Sequence, residues 1–243
     1  MTATDLTLRP AVPDDLPAVA RVFLAARRSA AEAGTMPPLT HSAEQVETHM
    51  VGLDLSDPSR REIWLAEGSQ GVVGWAQVAG GWLDGLYVDP AAQRRGIGGT
   101  LLDLVKSLRP RGFGLWVFAC NHPARSFYVH HGLEELERTD GSANEEREPD
   151  VRVVWPGAEP LPYLRSLIDE VDDELAGLLA RRVALTAAVQ RHKPVGGPPG
   201  RDPAREREIA LRIAGAVPVL GPERVQRIVH TIITESLEAV EER

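Results

Sequence analysis

Along the first part of the chain, apolar positions recur with two alternating periods. Leu6-Thr-Leu-Arg9 alternates like a strand. Leu16, Val19, Val22 and Phe23 follow Asp14 and Asp15 at helical spacing, which predicts a helix to about Arg28. Ser42-Ala-Glu-Gln45 fits a capping box, so a second helix should follow it. Glu62–Ala66 and Val72–Val78 read as strands around the turn Gly68-Ser-Gln-Gly71. A strand from Trp82 to Val88, a helix from Gly99 to Leu108, a strand from Gly114 to Ala119 and a helix from Pro123 to His131 come next. Leu133–Arg138 and Val151–Trp155 would close the sheet. Alternating strands and helices predict an α/β domain, a mixed sheet flanked by helices.

The pattern then changes. From Leu164 through Leu167, Ile168, Val171, Leu175, Leu178, Leu179 and Leu185 to Val189, apolar residues keep helical spacing alone, which predicts one helix of about 29 residues. Pro194 to Pro203 breaks it. Further helices are expected from about Pro203 to Ala214 and from about Pro222 to Glu242, the last carrying Val225, Ile228, Val229, Ile232, Ile233, Leu237 and Val240. This predicts an all-α three-helix domain. Three helices in a short segment bury little surface by themselves, so a homodimer through this part is expected.

Composition sharpens the division. All 5 Trp and 4 Phe precede residue 157, and beyond it the only aromatic residue is Tyr163. Trp155-Pro-Gly-Ala-Glu-Pro-Leu-Pro162 reads as a linker. The domains are therefore expected at 1–156 and 157–243. With 43% hydrophobic and 26% charged residues, the chain is that of a globular protein. No apolar stretch reaches membrane-spanning length, and residues 1–14 lack the apolar core of a secretory signal, so a cytoplasmic protein without membrane association is expected. The single cysteine, Cys120, excludes an intrachain disulfide and a cysteine-based zinc site; it reads as a small buried residue. No metal site is expected. A net charge of −8, split −6 and −2 between the two parts, argues against nucleic-acid binding.

The richest stretch for chemistry is Leu86-Tyr-Val-Asp-Pro-Ala-Ala-Gln-Arg-Arg-Gly-Ile-Gly-Gly-Thr100. A strand ends, and a glycine turn holding Q-x-x-G-x-G leads into a helix. Such a turn lets backbone N–H groups crowd around a pyrophosphate, and the helix N-terminus adds partial positive charge. Spacing alone also allows a glycine-rich helix start with no ligand. The loop, together with Asn121-His-Pro-Ala-Arg-Ser-Phe-Tyr-Val-His-His-Gly-Leu133, resembles the GNAT superfamily of acyl-CoA-dependent N-acetyltransferases over about Leu6–Trp155, with Leu133 where that family has Phe. A dinucleotide site fits less well, because G-x-G-x-x-G is missing.

The resemblance implies acetyl-CoA as co-substrate. Backbone groups of Leu86, Tyr87 and Val88 would pair with its pantetheine arm. Arg94, Arg95, Gly96, Ile97, Gly98 and Gly99 would hold the pyrophosphate, and Asn121 would contact the pantetheine. Tyr128 would protonate the departing thiolate. Asp84 stands open to two readings, a base for the amine or an exposed strand carboxylate. The amine acceptor is not legible. Glu145, Glu146 and Asp150 would either attract an amine or form a solvated loop.

In the helical part, Arg182 and Lys193 are 11 residues apart and fall within about 20° of one another on a helix. Arg182 follows the apolar stripe, where a charge must be paired or must bind something. Arg165 points about 100° away from Arg182, towards a dimer partner's pocket. Asp202 before Pro203 reads as an N-cap, with Arg205 and Glu206 in the first turn after Arg201. A solvated charged face is the alternative for Arg165 and Arg205. The pattern resembles the all-helical, type II chorismate mutases over about Pro160–Val240. The resemblance implies an intertwined dimer in which Arg165 crosses to the neighbouring site. It also implies catalytic roles for Arg182, Lys193, Arg205 and Glu206, and substrate binding by Asp202 and Ser236. Val240 stands where that family has Gln or Glu.

Chorismate would rearrange to prephenate within one molecule, so no mutase cofactor is expected. Arginine forks suit its two carboxylates, and Lys193 suits charge growing on the ether oxygen. The whole predicts a bifunctional enzyme of aromatic amino acid biosynthesis. Two alternatives keep the transferase but reassign the helical domain: it only dimerises or senses chorismate, or it acts on isochorismate or aminodeoxychorismate.

Overall fold

A computed structural model describes residues 6–192 and 202–241. The chain divides into two compact units, Met1–Leu164 and Arg165–Arg243.

The first unit is a seven-stranded mixed sheet in the order β1-β2-β3-β4-β5-β7-β6. Its strands are β1 (Thr7–Pro10), β2 (Glu62–Gly68), β3 (Gly71–Ala79), β4 (Trp82–Val88), β5 (Phe113–Phe118), β6 (Glu134–Arg138) and β7 (Asp150–Trp155). All neighbours are antiparallel except β4 and β5, which are parallel. Strand alternation divides the core. Leu65 and Trp75 join Leu16, Val19, Val22 and Met50 on one face, under α1 (Leu16–Glu32) and α2 (Ala43–Val51). Ala66 and Ala76 turn to the other face, with Ile97, Leu101, Leu102 and Val105 of α3 (Ile97–Leu108) and Tyr128 of α4 (His122–His130). The expected capping box forms: Gln45 N donates to Ser42 Oγ at 3.2 Å, and Ser42 N donates to Gln45 Oε1 at 2.9 Å.

The middle of this sheet departs from regularity. In the β3–β4 register Gln77 faces Gly85 while Val78 faces Leu83, so Asp84 is an extra residue on β4. Such a bulge bends its strand and increases the local twist. Past it, β4 leaves β5: the two share a single register pair, Trp82 with Gly114, and Gly114 N donates to Gly81 O at 2.9 Å. The β5 side of β4 from Gly85 to Val88 is left without a strand partner.

The second unit is helical. The helix α5 (Pro160–Arg191) is longer than expected and takes up the last three residues of the expected linker. Pro160 and Pro162 sit in its first turn, where the missing N–H costs nothing. The helices α6 (Pro203–Ala216) and α7 (Gly221–Glu241) share a small core of Ala210, Val225 and Val229, with Ile209, Ala214 and Ile233 around it. Ile168, Val171, Leu175, Leu178, Leu185 and Val189 of α5 are exposed. Among the described residues, no helix is long and apolar enough to cross a membrane.

A Cβ on Gly85 would lie 2.9 Å from the Trp75 ring and 3.1 Å from the Tyr87 ring. Gly85→Ala should therefore destabilise the protein by about 1–3 kcal/mol through overpacking, read as a lowered Tm or urea midpoint. An unchanged Tm would show that Trp75 and Tyr87 yield freely.

Candidate functional site

The divergence of β4 and β5 opens a cavity of about 1670 Å³ in the first unit. Leu86, Tyr87 and Val88 line it, and so do Asn121 and Tyr128 of the α4 segment. Backbone groups on the bulged strand are thus available to an extended ligand, because β5 has moved away from them.

At one end of the cavity is the glycine turn. Arg94 has φ +59° and Gly96, the N-cap of α3, has φ +83°. Left-handed residues just before a helix turn N–H groups into one concavity, a common anion cradle. Gly96 O accepts from Thr100 N at 3.0 Å, and the first-turn N–H groups have no intrahelical acceptor. A Cβ on Gly98 would meet the Phe127 ring at 3.5 Å, so the helix surface here is close to a neighbouring aromatic residue. Gln93 Nε2 donates to Val88 O at 3.1 Å and ties the turn to the end of β4. The expected pyrophosphate residues divide in this frame. Arg94, Gly96, Gly98 and Gly99 line the cavity. Ile97 also lines it, but its side chain is buried in the core, so only its backbone can serve. Arg95 is exposed and does not line the cavity.

Asn121 caps α4: its Oδ1 accepts from Ala124 N at 3.2 Å. Tyr128 is buried, and burial, reinforced by Tyr87, pushes its phenol well above the usual tyrosine range. It therefore remains protonated at neutral pH, the form needed to donate to a thiolate. Asp84 is exposed on the bulge and also lines the cavity, with Gln77 Nε2 donating to it at 3.2 Å. Both of its readings are compatible with this placement.

One expectation needs correction. Cys120 is exposed, because it lies in the turn after β5, where Sγ contacts Thr35 O at 3.6 Å. The acidic residues Glu145, Glu146 and Asp150 line the cavity and are paired within the unit, a placement compatible with attraction of an amine. Glu145 meets His41 Nε2 at 3.2 Å, Glu146 meets Arg27 Nη2 at 2.8 Å, and Asp150 accepts from Thr139 Oγ1 and Asn144 Nδ2.

Arg27 was not singled out from the sequence. It is 4% exposed and lines the cavity. A signal existed: Leu16, Val19, Phe23 and Arg27 follow one helical stripe, and a charge on an apolar stripe is the feature that pointed to Arg182. Beside it, Tyr87 packs between Phe23 and Trp75, with ring centroids 4.9 Å from each. Burial raises the Tyr87 phenol too; Arg27 opposes that rise and Glu146 adds to it.

In the second unit, Arg182 and Ser236 come together. Arg182 Nη1 donates to Ser236 Oγ at 2.6 Å and to Ile232 O at 3.2 Å. Ser236 is buried, and its hydroxyl donates to Ile232 O at 2.5 Å. The charge on the α5 stripe is thus held by α7. Asp202 is the N-cap of α6, accepting from Ala204 N at 2.9 Å and Arg205 N at 3.0 Å. Arg205 is exposed and pairs with Glu208 at 2.6 Å. Glu206 lies 3.8 Å from His230 Nδ1. Arg165 is exposed on α5. Lys193 and Arg201 fall outside the described residues. Val240 lines a second cavity of about 830 Å³ with Ala180, Val183, Ala187 and Gln190.

Comparison with known proteins follows the same division. Residues 59–135 match the family model for the acetyltransferase (GNAT) domain, and residues 164–241 match that for chorismate mutase type II. No curated protein matches the sequence significantly. Among solved structures, an acetyltransferase from Thermus thermophilus superposes with a TM-score of 0.51 at 23% identity, covering 64% of this chain and 99% of that one. A GCN5-related N-acetyltransferase from Rhodopseudomonas palustris gives 0.52 at 22% identity, covering 64% and 98%. RimL, a ribosomal L7/L12 alpha-N-protein acetyltransferase solved with coenzyme A, gives 0.51 at 15% identity, covering 65% and 97%. The mixed sheet of the first unit has the GNAT fold, and the long helices of the second fit the all-helical chorismate mutase. The chain joins a GNAT acetyltransferase domain to a type II chorismate mutase domain.

Proposed function

We propose that residues 1–156 transfer an acetyl group from acetyl-CoA to an amine, and that residues 157–243 convert chorismate to prephenate in a cytoplasmic homodimer serving aromatic amino acid biosynthesis. The observation that carries the first half is the unpartnered edge of β4 leading into a left-handed glycine turn. In this reading Leu86, Tyr87 and Val88 receive the pantetheine arm, and the N–H groups from Arg94 to Gly99 receive the pyrophosphate. Asn121 Oδ1 is committed to its cap, and its amide N–H groups would contact the pantetheine. RimL, solved with coenzyme A, supports the choice of co-substrate.

The chemistry follows from the side chains present. Asp84, through water, takes the proton that the amine nitrogen loses on attacking the thioester carbon. Tyr128 protonates the sulfur as the C–S bond breaks. Tyr128→Phe should lower kcat about 10²–10⁴-fold, the usual worth of a general acid, while acetyl-CoA still binds. Because the phenol is raised, the sign of its pH effect is fixed: donation persists below the raised value and is lost only above it. The wild-type rate should therefore show no Tyr128-dependent fall between pH 7 and 10. A fall there that vanishes in Tyr128→Phe would contradict the assignment.

For the helical domain, the Arg182–Ser236 contact supports a preorganised carboxylate site on α5 and α7. Arg182 and Arg165 would bind the substrate carboxylates, Lys193 the ether oxygen, and Glu206, Arg205, Asp202 and Ser236 would complete the site. No cofactor enters this reaction. The uncovered apolar stripe of α5 supports the dimer, because a helix with so much exposed Leu, Ile and Val needs a covering surface. Val240 favours a second reading, in which this domain only dimerises or senses chorismate. It lines a cavity with Ala180, Val183 and Ala187, and stands where a side-chain amide or acid would be expected. Action on isochorismate or aminodeoxychorismate would keep the same carboxylate contacts.

A mixing experiment tests shared sites. Arg165→Ala and Arg182→Ala homodimers should each be nearly inactive towards chorismate. After subunit exchange, a mixed dimer has one pocket with both defects and one with neither. Random exchange should restore about a quarter of wild-type activity per site. Demonstrated exchange with no recovery would place Arg165 outside the neighbour's pocket.

A further inference from the structure

The acetyltransferase cavity is lined by a buried cation, Arg27, that the acetyl transfer described above does not use. The inference that follows rests on that acetyltransferase reading and names its acceptor. Arg27 is 4% exposed, yet its donors are poorly used within the chain. Nη2 donates to Glu146 Oε1 at 2.8 Å, Nη1 meets only the Met36 thioether at 3.8 Å, and Nε has no partner among the described residues. A guanidinium has five N–H donors in a planar fork, and leaving them unmatched in a buried place is costly. Glu146 accounts for one of these donors and leaves Nη1 and Nε without an oxygen acceptor. The Phe118 ring, 5.5 Å from Arg27 Cζ, covers one face of the guanidinium and leaves its edge as the direction of approach.

The surroundings define the rest of the ligand. Met36 and Phe118, which contact Arg27, and Phe23, one turn before it on α1, also line the cavity and give it apolar surface beside the cation. Glu146 beside Arg27 supplies a negative counterpart to its positive charge. Tyr87 lies within electrostatic reach of both, and Tyr128 within reach of Tyr87.

We infer that the acetyl acceptor is an α-amino acid with an apolar or aromatic side chain, its carboxylate gripped by Arg27 and its ammonium steered by Glu146. Arginine suits this task because its fork meets both carboxylate oxygens at once. The reaction balances with groups already placed. The acceptor first loses its ammonium proton to solvent. Its nitrogen then bonds to the thioester carbon, and the C–S bond breaks. Tyr128 gives its proton to the thiolate and recovers one from solvent, and the nitrogen's remaining surplus proton leaves to Asp84 through water. The products are the N-acetyl amino acid and the free thiol of coenzyme A.

The test uses the full chain and measures free thiol released from acetyl-CoA. Phenylalanine and leucine are compared with phenethylamine and 3-methylbutylamine, which match them but lack the carboxylate. The amino acids should be preferred by at least about 10-fold in kcat/KM, because a site built for a polar group rejects analogues without it. Arg27→Lys keeps a cation for Glu146 but loses the fork, and Arg27→Gln loses the charge. In both, the preference should collapse towards unity while acetyl-CoA still raises the Tm. The wild-type comparison needs no variant to fold, so it decides even if both substitutions destabilise the domain. Equal or better use of the decarboxylated amines overturns the amino-acid assignment and leaves the acetyltransferase reading standing. Failure to use any of the four while acetyl-CoA binds overturns it as well. Failure of acetyl-CoA to shift the Tm of the wild-type chain overturns both.

Discussion

The one extra residue at Asp84 is the constraint on which the first unit depends. It bends β4 after a single register pair with β5, so two parallel neighbours in one sheet part company where their side chains remain buried on both faces. A sheet normally closes such a gap, because each unpaired backbone group in a dry interior is costly. Here the layers on either side hold it open. Leu65 and Trp75 are fixed under α1 and α2, Ala76 and Val78 face the other core, and Trp75 Nε1 is bonded to Val19 O at 3.0 Å. The unpaired strand edge is thereby maintained by packing, ready for a ligand's polar groups in place of a strand's.

The same logic of an unmet requirement runs through the second unit, in apolar rather than polar terms. The helices α6 and α7 cover each other, whereas α5 buries none of its described residues fully. Arg182 ties it to Ser236 of α7 by a charged hydrogen bond, of the kind worth more than a neutral one. A helix with Leu175, Leu178 and Leu185 exposed is what a protomer of an intertwined assembly should look like before its partner is added. That agrees with the proposed dimer.

Most elements were legible because period and caps agree. The alternation at Leu65-Ala66 and Trp75-Ala76, the Ser42–Gln45 box and the N-cap at Asp202 all appear where the residues direct. The bulge was not legible, because it is a property of register between two strands and Asp84 carries no local mark of it. Pro160 and Pro162 misled, because proline both ends a linker and begins a helix. Cys120 misled because small apolar residues are usually buried, while this one follows a strand into a turn. Arg27 was overlooked on a stripe read for its apolar members alone, and its partner Glu146 is 119 residues away. Ion pairs of that sequence separation leave no spacing to detect. Of the proposed mutase residues, Arg182 and Ser236 meet across α5 and α7, whereas Arg205 pairs with Glu208 within its own helix.

Hydrogen–deuterium exchange of the intact chain, with and without acetyl-CoA, tests the role of the open strand edge most directly. Protection should gather in peptides covering Leu86–Val88, Arg94–Thr100 and Asn121–His131. Peptides from β2 and from residues 165–192 should be unchanged. Binding without added protection at Leu86–Val88 would contradict the account, because the gap between β4 and β5 would then have some other purpose.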